Sequence, residues 1–80
     1  MTTKITIQGI GAVIVDAEVG TLRPSTHVVA QRLCVGFGTD DSAKLEAARE
    51  RTDNIQRKAT AEFGQPEFGW QWLDHNGHPA

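Results

Sequence analysis

Between Lys4 and Val19 the chain reads KITIQGIGAVIVDAEV, in which Ile5 and Ile7 alternate with Thr6 and Gln8 before a short apolar run from Ala12 to Val15. Period-two alternation and many β-branched residues predict extended structure. The Gly9-Ile10-Gly11 interruption divides it, and two strands joined by a glycine turn is the favoured reading; one long strand bent at a bulge also fits. GTLRPST, residues 20–26, gathers glycine, proline, serine and threonine and predicts a loop.

HVVAQRLCVGF, residues 27–37, supports two patterns. As a strand it places Val29, Leu33, Val35 and Phe37 on one face, with Gln31 as the exception. As a helix it takes Ser25 or Thr26 as N-cap and Gly36 as its stop. The paired valines and the late Val-Gly-Phe favour the strand. A clear helix follows. Thr39, Asp40 and Asp41 provide an N-cap and an acidic first turn, which exposed N–H groups and the helix dipole favour. Leu45, Ala48, Thr52, Ile55, Ala59 and Phe63 then recur at steps of three and four, and Gly64 followed by Pro66 ends the element. Its apolar stripe is narrow and built from small residues, so the helix should lie close against a sheet.

PEFGWQWLD, residues 66–74, predicts the last strand, with Phe68, Trp70 and Trp72 on one face and Glu67, Gly69, Gln71 and Leu73 on the other. One thin helical stripe cannot fill a core, so the aromatic row is expected to face it rather than to serve as an exposed stacking platform. HNGHPA, residues 75–80, predicts a flexible C-terminal tail. The elements assemble into an α+β fold. It has a small antiparallel sheet of three or four strands with one helix, about 40–63, on one face, in the order β-β-β-α-β. Residues 1–74 make one domain.

Composition narrows the function classes. At 80 residues the chain is near the small end of what folds alone, so its two Trp and three Phe matter to the core. Ten acids against eight bases leave a net charge of −2, without the basic excess of a general nucleic-acid binder. The single cysteine, Cys34, excludes an internal disulfide and fits a reducing cytosol. No apolar run approaches the ~18 residues of a spanning helix, and MTTKITIQ lacks the pattern of a signal peptide. A cytoplasmic protein without membrane contact is expected.

Candidate chemistry is sparse. GIGAVI starts like a phosphate-cradling loop, but Ile14 stands where the third glycine belongs and no helix follows. His75 and His78 could bind a metal with Cys34 or His27 as a distant third ligand, yet the expected tail offers no scaffold. Cys34 and His27, seven residues apart, would point to opposite faces of a regular strand. No catalytic, cofactor or metal site is expected.

The surface of the long helix carries more information. At 100° per residue, Glu46, Glu50 and Asp53 share one flank with Arg57 at its end, while Lys44, Arg51 and Lys58 share the other. An ordinary solvated face explains this, with Asp53–Arg57 and Lys58–Glu62 pairs at four-residue spacing. Segregated charge also steers a charged partner. The expected partner-binding residues are Glu46, Glu50 and Asp53, joined by Asp16 and Glu18 from a strand.

The opening MTTKITIQGIGAVIVDAEVG, together with GTDDSAKLEAARERTDNIQRKATAEFG and EFGWQWLD, resembles the small phage-encoded anti-CRISPR proteins, in particular the group acting on type I-C systems. The resemblance spans most of the chain and rests on no diagnostic motif. It implies a non-enzymatic inhibitor in the bacterial host cytoplasm that binds the CRISPR-Cas surveillance complex (Cascade), or its recruited nuclease, and blocks target DNA engagement without contacting nucleic acid itself. Several such inhibitors cover the groove where target DNA enters by presenting acids to its Lys and Arg residues. This chain is only mildly acidic, which favours steric blocking by a mixed polar–apolar patch. Two alternatives stay open: a nucleic-acid-binding module using Lys44, Arg51 and Lys58 with an exposed tryptophan, and a homodimeric accessory subunit burying its open sheet face and an edge strand.

Overall fold

The computed structural model describes residues 2–80. Strands β1 (Thr2–Ile7) and β2 (Gly11–Asp16) form an antiparallel hairpin, as the alternation and the glycine turn predict. Register decides which side chains go inward. Ile5 faces Val13, Val15 faces Leu22, and all four are buried, whereas Lys4 lies opposite Ile14 and Ile14 opposite Arg23 on the other, open face.

The third strand is not where the sequence suggests. Thr21–Pro24, read as loop, is strand β3, antiparallel to β2. Its proline is tolerated for a geometric reason. Ser25 donates its N–H to the Ala12 carbonyl on the β2 side at 3.1 Å, so the nitrogen of Pro24 faces the opposite side. There the neighbouring strand β4 (Gln71–Trp72) has already ended, and no donor is required.

Residues 27–34, favoured as a strand, are helix α1 (His27–Cys34). Thr26 supplies the N-cap, its hydroxyl accepting the Val29 N–H at 3.2 Å. Two tertiary devices hold the other end. Gly36 adopts φ +98° and lies so close to the Lys44 carbonyl that a Cβ would stand 2.5 Å from it. Arg51 donates to the carbonyls of Leu33, at 2.8 Å, and Val35. Capping and these contacts override the β-propensity of the valine pair.

Helix α2 (Ser42–Phe63) matches expectation closely. Asp41 caps it, accepting from the N–H groups of Ala43 and Lys44 at 3.0 and 3.3 Å, and Gly64 at φ +89° ends it. Ala48, Ile55 and Ala59 are buried; Leu45 and Phe63, at the ends of the stripe, are half-buried. Both helices share one core with the inner sheet face, Val29 and Leu33 from α1 joining Ile55 and Ala59 from α2 over Val13, Val15 and Leu22. Each large apolar side chain so covered contributes roughly 1.5–3 kcal/mol.

The architecture is therefore α+β, a four-stranded sheet in the order β1-β2-β3-β4. It keeps the coarse β-β-β-α-β succession, with α1 added before the long helix. The sheet is mixed rather than antiparallel, because β4 runs parallel to β3. Only two residues of the expected last strand pair there. Trp70 and Trp72 pack against the core, but Phe68 is 93% exposed. The aromatic row fails at Phe68 because residues 66–69 form a turn, closed by the Gly69 N–H to the Pro66 carbonyl at 3.2 Å, rather than strand. Residues 75–80 form a hydrogen-bonded turn, with Leu73 bridged to Pro79 and Ala80 donating to the Trp72 carbonyl at 3.2 Å.

Candidate functional site

Glu46, Glu50 and Asp53 project from the first two-thirds of α2, all exposed. They line a shallow groove with Arg49 and Arg57, so the flank is less purely acidic than the sequence suggests. The anticipated pairs do not close. Among the described residues neither Asp53–Arg57 nor Lys58–Glu62 comes within ion-pair distance, and Arg57 instead donates to the Asn54 side-chain oxygen at 3.1 Å. The three carboxylates thus stand on a capped helix without a close counter-charge of their own.

The opposite flank is depleted. Arg51, its middle base, is committed to the end of α1, and its Nε is buried without a hydrogen-bond partner. Lys44 and Lys58 stay exposed. Lys58 and Glu50 border a cleft of about 500 Å³ between α2 and the β1–β2 turn. The basic stripe needed by a nucleic-acid module is reduced to two separated lysines.

Asp16 and Glu18 lie at a different place. Asp16 ends β2 and organises the turn into β3: its side chain accepts the Val19 N–H at 3.3 Å and its carbonyl accepts the Gly20 N–H at 2.8 Å. Glu18 is exposed on that turn, beside Val19, which is 71% exposed. The turn abuts the one after α2. Gly20 is buried at φ +84°, and a Cβ there would stand 2.8 Å from the Gly69 carbonyl and 3.0 Å from Pro66. That second turn, residues 66–69, is closed by the Gly69 N–H to the Pro66 carbonyl at 3.2 Å and carries Glu67 and Phe68 at its tip. At ~1.5 Å per residue, roughly 27 Å of helix axis separates Glu46 from Gly64, where this segment begins. Glu46 therefore stands well away from Asp16 and Glu18, whereas Asp53 lines a groove with Gly69, the residue against which Gly20 is wedged. Sequence reasoning missed Phe68 and Val19; the Pro-x-x-Gly spacing of residues 66–69 was the available signal for a turn that turns Phe68 outward.

Beneath the second turn, the indole N–H of Trp70 donates to the Thr60 hydroxyl at 2.8 Å, fixing the loop to the last turns of α2. The Nε1 of Trp72 is buried without a partner. Trp72 also lines an apolar groove of about 430 Å³ with Leu33, Cys34, Phe37 and Leu73, bordered by Asp74.

The remaining candidate ligands converge only in part. His27 and His75 have ring centroids 5.1 Å apart, and His78 Nδ1 lies 3.8 Å from Asp74 Oδ2. Among the described residues no three His, Cys, Asp or Glu side chains are grouped to hold a metal. Asp74 Oδ1 accepts the N–H groups of His78 and Asn76, each at 2.9 Å. The His78 N–H is the larger of the influences holding the Asp74 carboxyl below its ordinary value. Because α1 is a helix, His27 and Cys34 share a side of it, contrary to the strand geometry; roughly 10 Å of axis still keeps them outside hydrogen-bond reach. No helix among the described residues is long and apolar enough to cross a membrane.

No protein-family model matches this chain, and no characterised protein or solved structure matches it either.

Proposed function

We propose that this protein is a non-enzymatic inhibitor that acts in the bacterial cytoplasm, binding a CRISPR-Cas surveillance complex of type I-C and blocking its engagement of target DNA. The observation that carries the reading is the acidic flank of α2. Glu46, Glu50 and Asp53 are exposed, lie one turn apart on a rigid helix, and have no ion-pair partner within the described chain. Like charges at four-residue spacing destabilise a helix slightly, and surface acids held this way complement Lys and Arg that await phosphate. With a net charge of only −2, the protein acts as a steric block guided by charge rather than as a full mimic of DNA.

The test uses purified type I-C surveillance complex and labelled duplex target. Saturating protein should abolish the DNA mobility shift. Reversing Glu46→Lys and Glu50→Lys together should slow association, with an effect that shrinks as salt rises, since steering acts on the on-rate. Unimpaired target binding in the presence of excess protein would refute the proposal.

One observation favours a second reading, a homodimeric accessory subunit. β1 is an edge strand, paired to β2 on one side only, and edge strands invite pairing by another chain. A concentration-independent monomer mass in solution would remove it.

A further inference from the structure

We infer that the groove between α1 and the C-terminal turn is a binding site for a small organic cation, an ammonium group carried on an apolar body the size of an aromatic ring. The inference goes beyond the inhibitor proposal and does not depend on it, because that reading rests on the acidic flank of α2.

Size and lining point to a free small molecule. The groove encloses about 430 Å³, within the ~300–1,000 Å³ of small-molecule pockets. Its walls are mainly hydrocarbon: Leu33 from α1, Phe37 from the segment between the helices, and Trp72 and Leu73 beside β3. The indole Nε1 of Trp72 is buried, so that side chain offers the groove ring carbon. Phe37 is 43% exposed, a large apolar side chain that an apolar ligand would help to take out of water.

Charge selects the ligand. Asp74 is the only charged side chain among the residues that line the groove. Its Oδ1 is occupied by the N–H groups of Asn76 and His78. Oδ2 makes no hydrogen bond, since His78 Nδ1 stands off at 3.8 Å. The His78 N–H is the main influence that holds the carboxyl below its ordinary value, so it is ionised at neutral pH. His78 and His75, whose charge acts on it, are not among the lining residues. Arg23 lies on the open face of the sheet and donates to the His75 carbonyl at 3.4 Å, outside the groove. An anion would meet the Asp74 carboxylate at the edge of an apolar surface, where screening is weak. A neutral ligand would leave that carboxylate without a counter-charge. An ammonium supplies it, and aromatic walls such as Phe37 and Trp72 attract such a group further.

The probe is phenethylammonium, with 2-phenylethanol as its neutral and 3-phenylpropanoate as its anionic counterpart. Each is titrated into the isotope-labelled full chain at about pH 7.5, above the ordinary imidazole range, and followed by chemical shifts. The cation should saturate below ~10 mM, as expected for a ligand of this size, with shifts concentrated at Leu33, Phe37, Leu73 and Asp74. Its affinity should exceed that of the alcohol at least about tenfold, and the propanoate should bind most weakly. Equal affinity for cation and alcohol, a preference for the anion, shifts that map elsewhere, or no saturation by ~10 mM each overturns the inference.

Two variants localise the effect. Asp74→Asn keeps an oxygen to accept the Asn76 and His78 N–H groups, and should reduce the cation to the affinity of the alcohol. Ala30→Phe fills the groove from α1, and should abolish binding of both. A cation preference that survives Asp74→Asn, or binding that survives Ala30→Phe, overturns the assignment. Should Asp74→Asn open the C-terminal turn, seen in the amide shifts of Asn76 and His78, the three-ligand comparison on wild type and Ala30→Phe decides alone.

Discussion

The guanidinium of Arg51, on the long helix, donates to the carbonyl of Leu33, the penultimate residue of the short one, at 2.8 Å. It reaches Val35 as well, so one α2 side chain satisfies carbonyls that the end of α1 leaves without helical partners. A positive group there also complements the dipole of α1.

Removing it should therefore act on stability. Arg51→Ala leaves the carbonyls of Leu33 and Val35 without this donor and is expected to cost about 1–3 kcal/mol. Arg51→Lys should recover only part, because a single ammonium cannot reproduce the planar fork. Urea denaturation followed by circular dichroism checks both. Wild-type stability in Arg51→Ala would mean that this end of α1 is held by the close approach of Gly36 to Lys44 alone.

Glycine positions make a second, internally controlled test. Gly20 and Gly38 both have positive φ, +84° and +78°, but a Cβ at Gly38 meets nothing within 4 Å while one at Gly20 meets the Gly69 carbonyl at 2.8 Å. Gly38→Ala should lose about 1 kcal/mol, from backbone strain alone. Gly20→Ala should lose clearly more, because the two turns must also separate. Thermal melts of the pair decide it; equal losses would show that the turns do not bear on each other in solution.

How much of this could be read beforehand follows from where each signal resides. The long helix was legible because cap, stripe and stop, Asp41, Ile55 and Gly64, are all local. The hairpin was legible because Ile5 and Val13 obey the period of two. α1 was not, since its valine pair favours a strand and what outweighs that preference, Arg51 and the Gly36–Lys44 approach, comes from a distant part of the chain. β3 was missed for a related reason: Pro24 argues against a strand unless the neighbouring strand stops short of it. The acidic flank of α2 was visible from 100° periodicity. The position of Asp16 and Glu18 relative to that flank, and the exposure of Phe68, depend on two glycine turns meeting in space.

The C-terminal turn should respond to acid. Hydrogen bonds from the His78 and Asn76 N–H groups favour the Asp74 carboxylate and hold its carboxyl below the ordinary aspartate value in the folded chain. A depressed carboxyl contributes stability that is present above its unfolded pKa and lost as pH falls through the folded one. The turn over residues 74–80 should hence persist above pH ~4 and open as pH drops below that range. Amide chemical shifts of Asn76 and His78 report it directly. In Asp74→Asn the transition should vanish, and an unchanged acid transition in that variant would assign it to another group.

Nucleic acid provides the last test, because the same α2 surface could have been read with the opposite sign. A phosphate-binding helix needs several free bases in a row, and Lys44, Arg51 and Lys58 have that spacing. Arg51, however, is occupied with the carbonyls of Leu33 and Val35, and the two remaining lysines can neutralise about two phosphates between them. Each neutralised phosphate contributes roughly 0.9 to the slope of log affinity against log salt on duplex DNA. A contact this small gives little affinity near ~150 mM salt, where screening acts over about 8 Å. Trp70 and Trp72, moreover, pack against the core and cannot stack freely on bases. Fluorescence anisotropy with labelled single-stranded and duplex DNA and with RNA should thus show no micromolar complex at that salt. A tight, steeply salt-dependent complex lost in Lys44→Ala/Lys58→Ala would reverse the assignment, making the basic flank the working surface of α2 and the acids its solvated back.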